Sequence, residues 1–183
     1  MTRAAASPDV AARLGQRLAA TGVLSSAYLL AQHRWARPHG DVPRRERRIA
    51  AATTAFAGPL LTIGCTVIRG DVRWQPPPST LGRLMLGGYV AGAALFEELL
   101  WRAPVTVPRT ARGTAGLAAA SAAGFMALHL RRDGAASARA HLLTTTSWTG
   151  STLLGHRLRW PVLSHALYNY AALTLRARPE PDR

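Results

Sequence analysis

The chain has 183 residues, with 23 basic and 9 acidic side chains and a formal net charge of +14. Every basic residue is arginine, yet 48% of the chain is hydrophobic and mean hydropathy is +0.02, a balance that excludes a disordered basic tail. The single cysteine, Cys65, excludes an internal disulfide framework and a CxxC metal or redox site.

The arginines are clumped, and between them lie six charge-free runs. In chain order these are 18–33, 49–68, 84–96, 113–130, 140–156 and 160–175, with 16, 20, 13, 18, 17 and 16 residues. A membrane-spanning helix takes about 20 mainly apolar residues. The run 49–68 meets this outright, and the others meet it when flanking arginines reach out to the headgroups. Six such runs leave almost no sequence for the amphipathic helices of a soluble domain. The predicted fold is therefore all-α, a polytopic membrane bundle of about six transmembrane helices.

The runs are rich in Ala, Gly, Ser and Thr, as at 115–124, which lets membrane helices approach closely. Pro59 is predicted to kink the second run, with neighbours taking up the carbonyl it frees. Cys65, between Gly64 and Thr66, reads as a small buried thiol. Residues 34–48 hold six arginines. They read as a positive-inside anchor rather than a nucleic-acid patch, and a cytoplasmic placement would leave both termini outside. Pro76-Pro77-Pro78 predicts a stiff exposed loop within 69–83. The expected organisation is a polar tail over 1–17, a transmembrane domain over 18–175 and a second tail over 176–183. No convincing signal-peptide cleavage site follows the first run. The expected surroundings are membrane lipid, in a bacterial plasma membrane, with no nucleic-acid partner.

Charges inside a bilayer mark functional sites, because each is unfavourable by about 2.5–3.5 kcal/mol on insertion scales. Of the nine acidic residues only Glu97 and Glu98 enter an apolar stretch. The third run is short, so its helix is predicted to continue past them toward Val107. Glu98 and Arg102 stand four residues apart on one face, as an ion pair would. Glu97 is displaced by about 100° and has no cation in its own helix. Two further polar positions fall on other runs: His129, after Phe125, and the pair His165 and Asn169 at helical spacing. Separately these read as interfacial or helix-bridging residues. Together they imply one shared polar pocket, suited to hydrolysis by an activated water. A carboxylate and an imidazole would deprotonate the water, and an imidazole and an amide would donate to the oxyanion.

The order Glu97-Glu98…Arg102, Phe125…His129 and His165…Asn169, each on a membrane helix, resembles the CAAX protease and bacteriocin-processing (CPBP) intramembrane proteases. The resemblance covers about residues 84–175. It implies an intramembrane endopeptidase in which Glu97 and His129 activate water, His165 and Asn169 form the oxyanion hole, and Glu98 and Arg102 hold the site. It implies a glutamate-based mechanism without a metal cofactor, with a zinc site of Glu97, His129 and His165 as the alternative. The substrate would be a membrane-presented peptide or protein: a prenylated C-terminus, a bacteriocin leader or another membrane peptide. The all-arginine, alanine-rich composition points to a GC-rich genome and argues against the first. Ala103 stands where the family commonly has glycine, and Pro104 is expected to bend the helix just after the site. The rival reading is a non-catalytic membrane protein of the same fold, acting in bacteriocin immunity or membrane assembly.

Overall fold

The computed structural model describes residues 43–68, 72–107 and 110–177. The predicted first span, 18–33, and both polar tails apart from Arg176 and Ala177 lie outside the described residues. The other five runs each become a helix: α1 (Arg44–Ile68), α2 (Thr80–Trp101), then a one-turn α3 (Ala103–Thr106), α4 (Ala111–Asp133), α5 (Ala138–Gly155) and α6 (Arg159–Thr174). Of these, α1, α2 and α4 are long and apolar enough to cross a membrane. The protein is an all-helical membrane bundle.

Side-chain caps set where two of the helices begin. Ser79 accepts a hydrogen bond from the Gly82 amide at 3.0 Å after the triple proline, and Thr110 accepts one from the Gly113 amide at 3.1 Å. The prediction that α2 runs on toward Val107 is corrected. The helix stops at Trp101, and Arg102 caps it at φ −114°. Pro104 has no N–H to continue the ladder and its ring would collide with the carbonyl of Leu100. It instead opens the separate turn α3. The bend expected at Pro104 is thus a break, placed directly after Glu97 and Glu98.

Small residues and hydroxyls hold α1 against α5 and α6. A side chain on Gly58 would run into the Leu143 carbonyl and Ser147, and the Gly58 amide donates to Ser147 Oγ at 2.8 Å. Pro59 lacks the amide that would bond the Ala55 carbonyl. Ser164 Oγ of α6 donates to that carbonyl at 2.7 Å, so the proline is accommodated as a membrane helix requires. Ser151 Oγ likewise donates to the Ala51 carbonyl at 2.7 Å. Apolar side chains such as Leu60, Leu61, Leu84 and Met85 are exposed on the outside of the bundle. Cys65 is exposed as well, which corrects the expectation of burial: it lies on the outer surface, near the end of α1.

A small ribbon was not foreseen. Within the loop 69–83, β1 (Val72–Trp74) pairs antiparallel with β2 (Leu175–Ala177), Trp74 opposite Leu175. The Gln75 amide donates to the Thr174 carbonyl at 2.7 Å, and the Trp74 and Tyr170 rings lie 6.0 Å apart. The ribbon ties the start of α2 to the end of α6, the two helices that carry Glu98 and His165.

Candidate active site

The last turn of α2 carries the two glutamates in different directions. Glu98 is fully buried. Its Oε1 accepts from Arg102 Nη1 at 2.8 Å and from His165 Nδ1 at 2.8 Å. Arg102, also fully buried, donates through Nη2 to Thr145 Oγ1 at 2.9 Å. Its guanidinium lies 4.7 Å from the Phe125 ring and 5.3 Å from the Trp148 ring, a favourable cation–π geometry in a desolvated site. A buried ion pair is stable only with such extra partners. One anchor thereby joins α2, α5 and α6.

The two histidines are held against aromatic rings. His165 stacks on Trp148 at 4.0 Å, and His129 stacks on Phe125 at 4.0 Å. Trp148 is itself held by Ser164, which accepts from its Nε1 at 3.3 Å. The hydroxyl that satisfies the carbonyl freed by Pro59 therefore also positions the ring behind His165. His129 Nδ1 lies 2.9 Å from the Phe125 carbonyl. A carbonyl only accepts, so this nitrogen carries the proton, and Nε2 holds the lone pair in the neutral ring. His165 Nδ1 donates to Glu98 by the same reasoning.

Both Nε2 atoms face Glu97. Its Oε2 is 3.7 Å from His129 Nε2 and 3.5 Å from His165 Nε2, distances too long for direct hydrogen bonds. That oxygen is buried and accepts no hydrogen bond, while the side chain as a whole is 20% exposed. Glu97, His129 and His165, read from three separate runs, thus meet at one point, and Glu98 and Arg102 form the pair expected of them. Asn169 follows His165 by one turn on α6. It is half-buried and makes no side-chain hydrogen bond among the described residues. Glu97, His129 and His165 have the residue types of a zinc site, but among the described residues they are not a group whose ligand atoms all lie within 4.8 Å of one another. Both Nδ1 atoms are engaged, as in metal sites whose histidines are oriented by a carbonyl or carboxylate.

Four contributors were missed. Thr145 and Trp148 sit in the charge-free run of α5, where nothing distinguishes them by charge. Their signal is the density of hydroxyls: Thr144, Thr145, Ser147, Thr149, Ser151 and Thr152 are all buried. Asp133 falls in what reads as a short basic connector and His141 at the start of the run 140–156, yet His141 Nε2 lies 3.0 Å from Asp133 Oδ2. The His141 and His129 rings are 4.7 Å apart.

A family model described as type II CAAX prenyl endopeptidase Rce1-like matches residues 79–171. The chain belongs to this family. The match runs from the cap of α2 into the last turn of α6 and contains every residue of the cluster just described. No curated protein and no solved structure matches the chain. The Rce1-like membership makes the protein a membrane-embedded member of a protease family. The α1 helix lies outside the matched segment, yet it supplies the Ala55 carbonyl that anchors Ser164 and, through it, Trp148.

Proposed function

We propose that this protein is an intramembrane endopeptidase that hydrolyses a peptide bond with a water activated by Glu97 and His129. The supporting observation is the meeting of the unpartnered Glu97 Oε2 with the Nε2 atoms of His129 and His165, at 3.7 and 3.5 Å. Glu97 Oε2 and His129 Nε2 are both acceptors. A water can donate one hydrogen to each, which leaves its lone pair free for attack. As the water oxygen bonds to the scissile carbonyl carbon, its proton passes to Glu97. The carbonyl oxygen becomes an oxyanion. Glu97 then returns the proton to the departing amine nitrogen as the C–N bond breaks.

His165 and Asn169 are the proposed oxyanion donors. His165 spends its Nδ1 proton on Glu98, so it donates from Nε2 only as the imidazolium. Asn169, free of other hydrogen bonds among the described residues, would donate from its side-chain amide. Glu98 and Arg102 hold the site and take no part in bond making.

The proposed substrate is a peptide presented at the membrane. A CAAX-type C-terminus, the class in the family's description, is the first to assay, and a leader peptide the second. The proposed setting is a multi-pass protein of a bacterial plasma membrane. The test is cleavage of a reporter peptide by purified protein in detergent. Glu97→Ala and His129→Ala should abolish turnover. Variants that cleave like wild type would overturn the mechanism, and no cleavage by any form would favour a non-catalytic role in immunity or assembly. Loss of activity on chelation, restored by zinc, would move the mechanism to a metal held by Glu97, His129 and His165.

A further inference from the structure

Beside the proposed catalytic cluster lie Asp133 and His141, two side chains that the proposed reaction does not use. Asp133 stands one turn beyond His129 on α4, so the two share a face. Gly134, at φ +79°, takes a conformation that disfavours any other residue. With the 3₁₀ turn Ala135–Ser137 it reverses the chain. His141, in the first turn of α5, is thereby brought back against α4. One ligand atom from each of His129, Asp133 and His141 lies within 4.8 Å of the other two.

We propose that His129, Asp133 and His141 form a binding site for a divalent cation of the zinc class, distinct from the Glu97–His129–His165 set. Two imidazoles and a carboxylate are the donor set of three-ligand zinc sites, with one position open to water. Ligand atoms in a tetrahedral site stand roughly 3.3 Å apart, given metal–ligand bonds near 2.0–2.1 Å. The 3.0 Å between His141 Nε2 and Asp133 Oδ2 is close to that spacing. The Phe125 carbonyl already orients the His129 ring through Nδ1, as carbonyls behind metal-binding histidines do. His129 is buried, whereas the Asp133 side chain is 29% exposed, which provides an entry path. Arg132 now holds both Asp133 oxygens, at 2.7 and 2.9 Å. Its side chain is 60% exposed, and an ion pair so open to solvent is weak enough for a cation to displace.

His129 belongs to both clusters. A cation that takes its Nε2 withdraws the lone pair facing Glu97, so occupancy blocks hydrolysis. This consequence rests on the proposed reaction, whereas the binding itself does not.

The experiment titrates zinc alone into the metal-stripped full chain in detergent, against a chromogenic chelator. Circular dichroism and monodisperse elution check each variant. Wild type should bind one equivalent. His141→Ala and Asp133→Asn should each weaken binding by at least about tenfold, while Glu97→Gln and His165→Ala keep it. Absence of binding by wild type would overturn the site. So would binding that survives His141→Ala and Asp133→Asn but disappears in Glu97→Gln. In the cleavage assay each variant is compared with itself, with and without zinc. Zinc should inhibit wild type and leave the rate of His141→Ala unchanged. Should no cleavage be seen, the binding titration still decides the metal site, which separates its failure from that of the protease reading.

Discussion

Glu97 and Glu98 are neighbours in sequence and identical in chemistry, yet they occupy opposite kinds of environment. Glu98 is sealed, and Oε1 receives a guanidinium and an imidazole at 2.8 Å each. Glu97 is partly open, and its Oε2 has no hydrogen-bond donor although two imidazoles stand within 4 Å of it. One helical step of about 100° separates a carboxylate held through Oε1 by two charge-bearing donors, with only its Oε2 left over, from one whose Oε2 faces two imidazoles without a hydrogen bond. A group satisfied by its own fold contributes stability, and a group left unsatisfied keeps its binding energy for a substrate or a water. The contrast extends outward. Around Glu98 everything is held: Arg102, Thr145, Trp148 and Ser164. Beyond Glu97 and His129, Asp133 and His141 border solvent.

The widest separation of the two carboxylates is expected from Glu97→Gln. Peptide cleavage should fall by about 10²–10⁴-fold, the range of a general base. Unfolding monitored by circular dichroism in denaturant should shift little, since Glu97 Oε2 accepts no hydrogen bond in the fold. A large loss of stability would place Glu97 with Glu98 as a structural residue. Arg102→Ala should do the reverse. Removing one partner of a buried ion pair is destabilising by about 3–5 kcal/mol, and the same unfolding measurement should show it, with activity lost only through loss of folded protein. Thr145→Val removes a hydrogen bond to a buried charge and should destabilise by about 1.5–3 kcal/mol. Equal stability would show that Arg102 finds its support elsewhere. The smallest effect is expected from Ser164→Ala, about 1 kcal/mol, since it leaves the Ala55 carbonyl and the Trp148 Nε1 without their shared hydroxyl. Because Trp148 stacks on His165, cleavage should drop more than that stability change alone accounts for. A drop in proportion to unfolding would sharpen the boundary between the two regions at His165.

Much of this was legible before any coordinates. Arginine spacing marked the five described runs that become α1, α2, α4, α5 and α6. Helical periodicity separated Glu97 from Glu98 and paired Glu98 with Arg102. The ordered polar positions on three runs anticipated that Glu97, His129 and His165 would meet. The ends of elements were less legible. The extension of α2 toward Val107 failed because a proline three residues beyond Trp101 outweighs the apolar pattern. The β1–β2 ribbon joins residues a hundred positions apart, a pairing that local pattern cannot reveal. Thr145 and Trp148 were invisible because a hydroxyl or an indole within an apolar run carries no charge to mark it. His141 was hidden because only the reversal at Gly134 brings it back to His129, and Asp133, one turn beyond His129 on α4, was hidden among the arginines of the connector.

The sequence by itself determined an all-helical membrane protein and the identity of its polar intrusions, because lipid penalises charge wherever the chain places it. Only the tertiary structure decided which of those groups are tied down, as Glu98 is through Oε1 to Arg102 and His165. Hydrogen bonding depends on atoms brought together from different helices to within about 3 Å, a distance that spacing along one helix does not set. That difference gives Glu98 to the scaffold and leaves Glu97 to the chemistry.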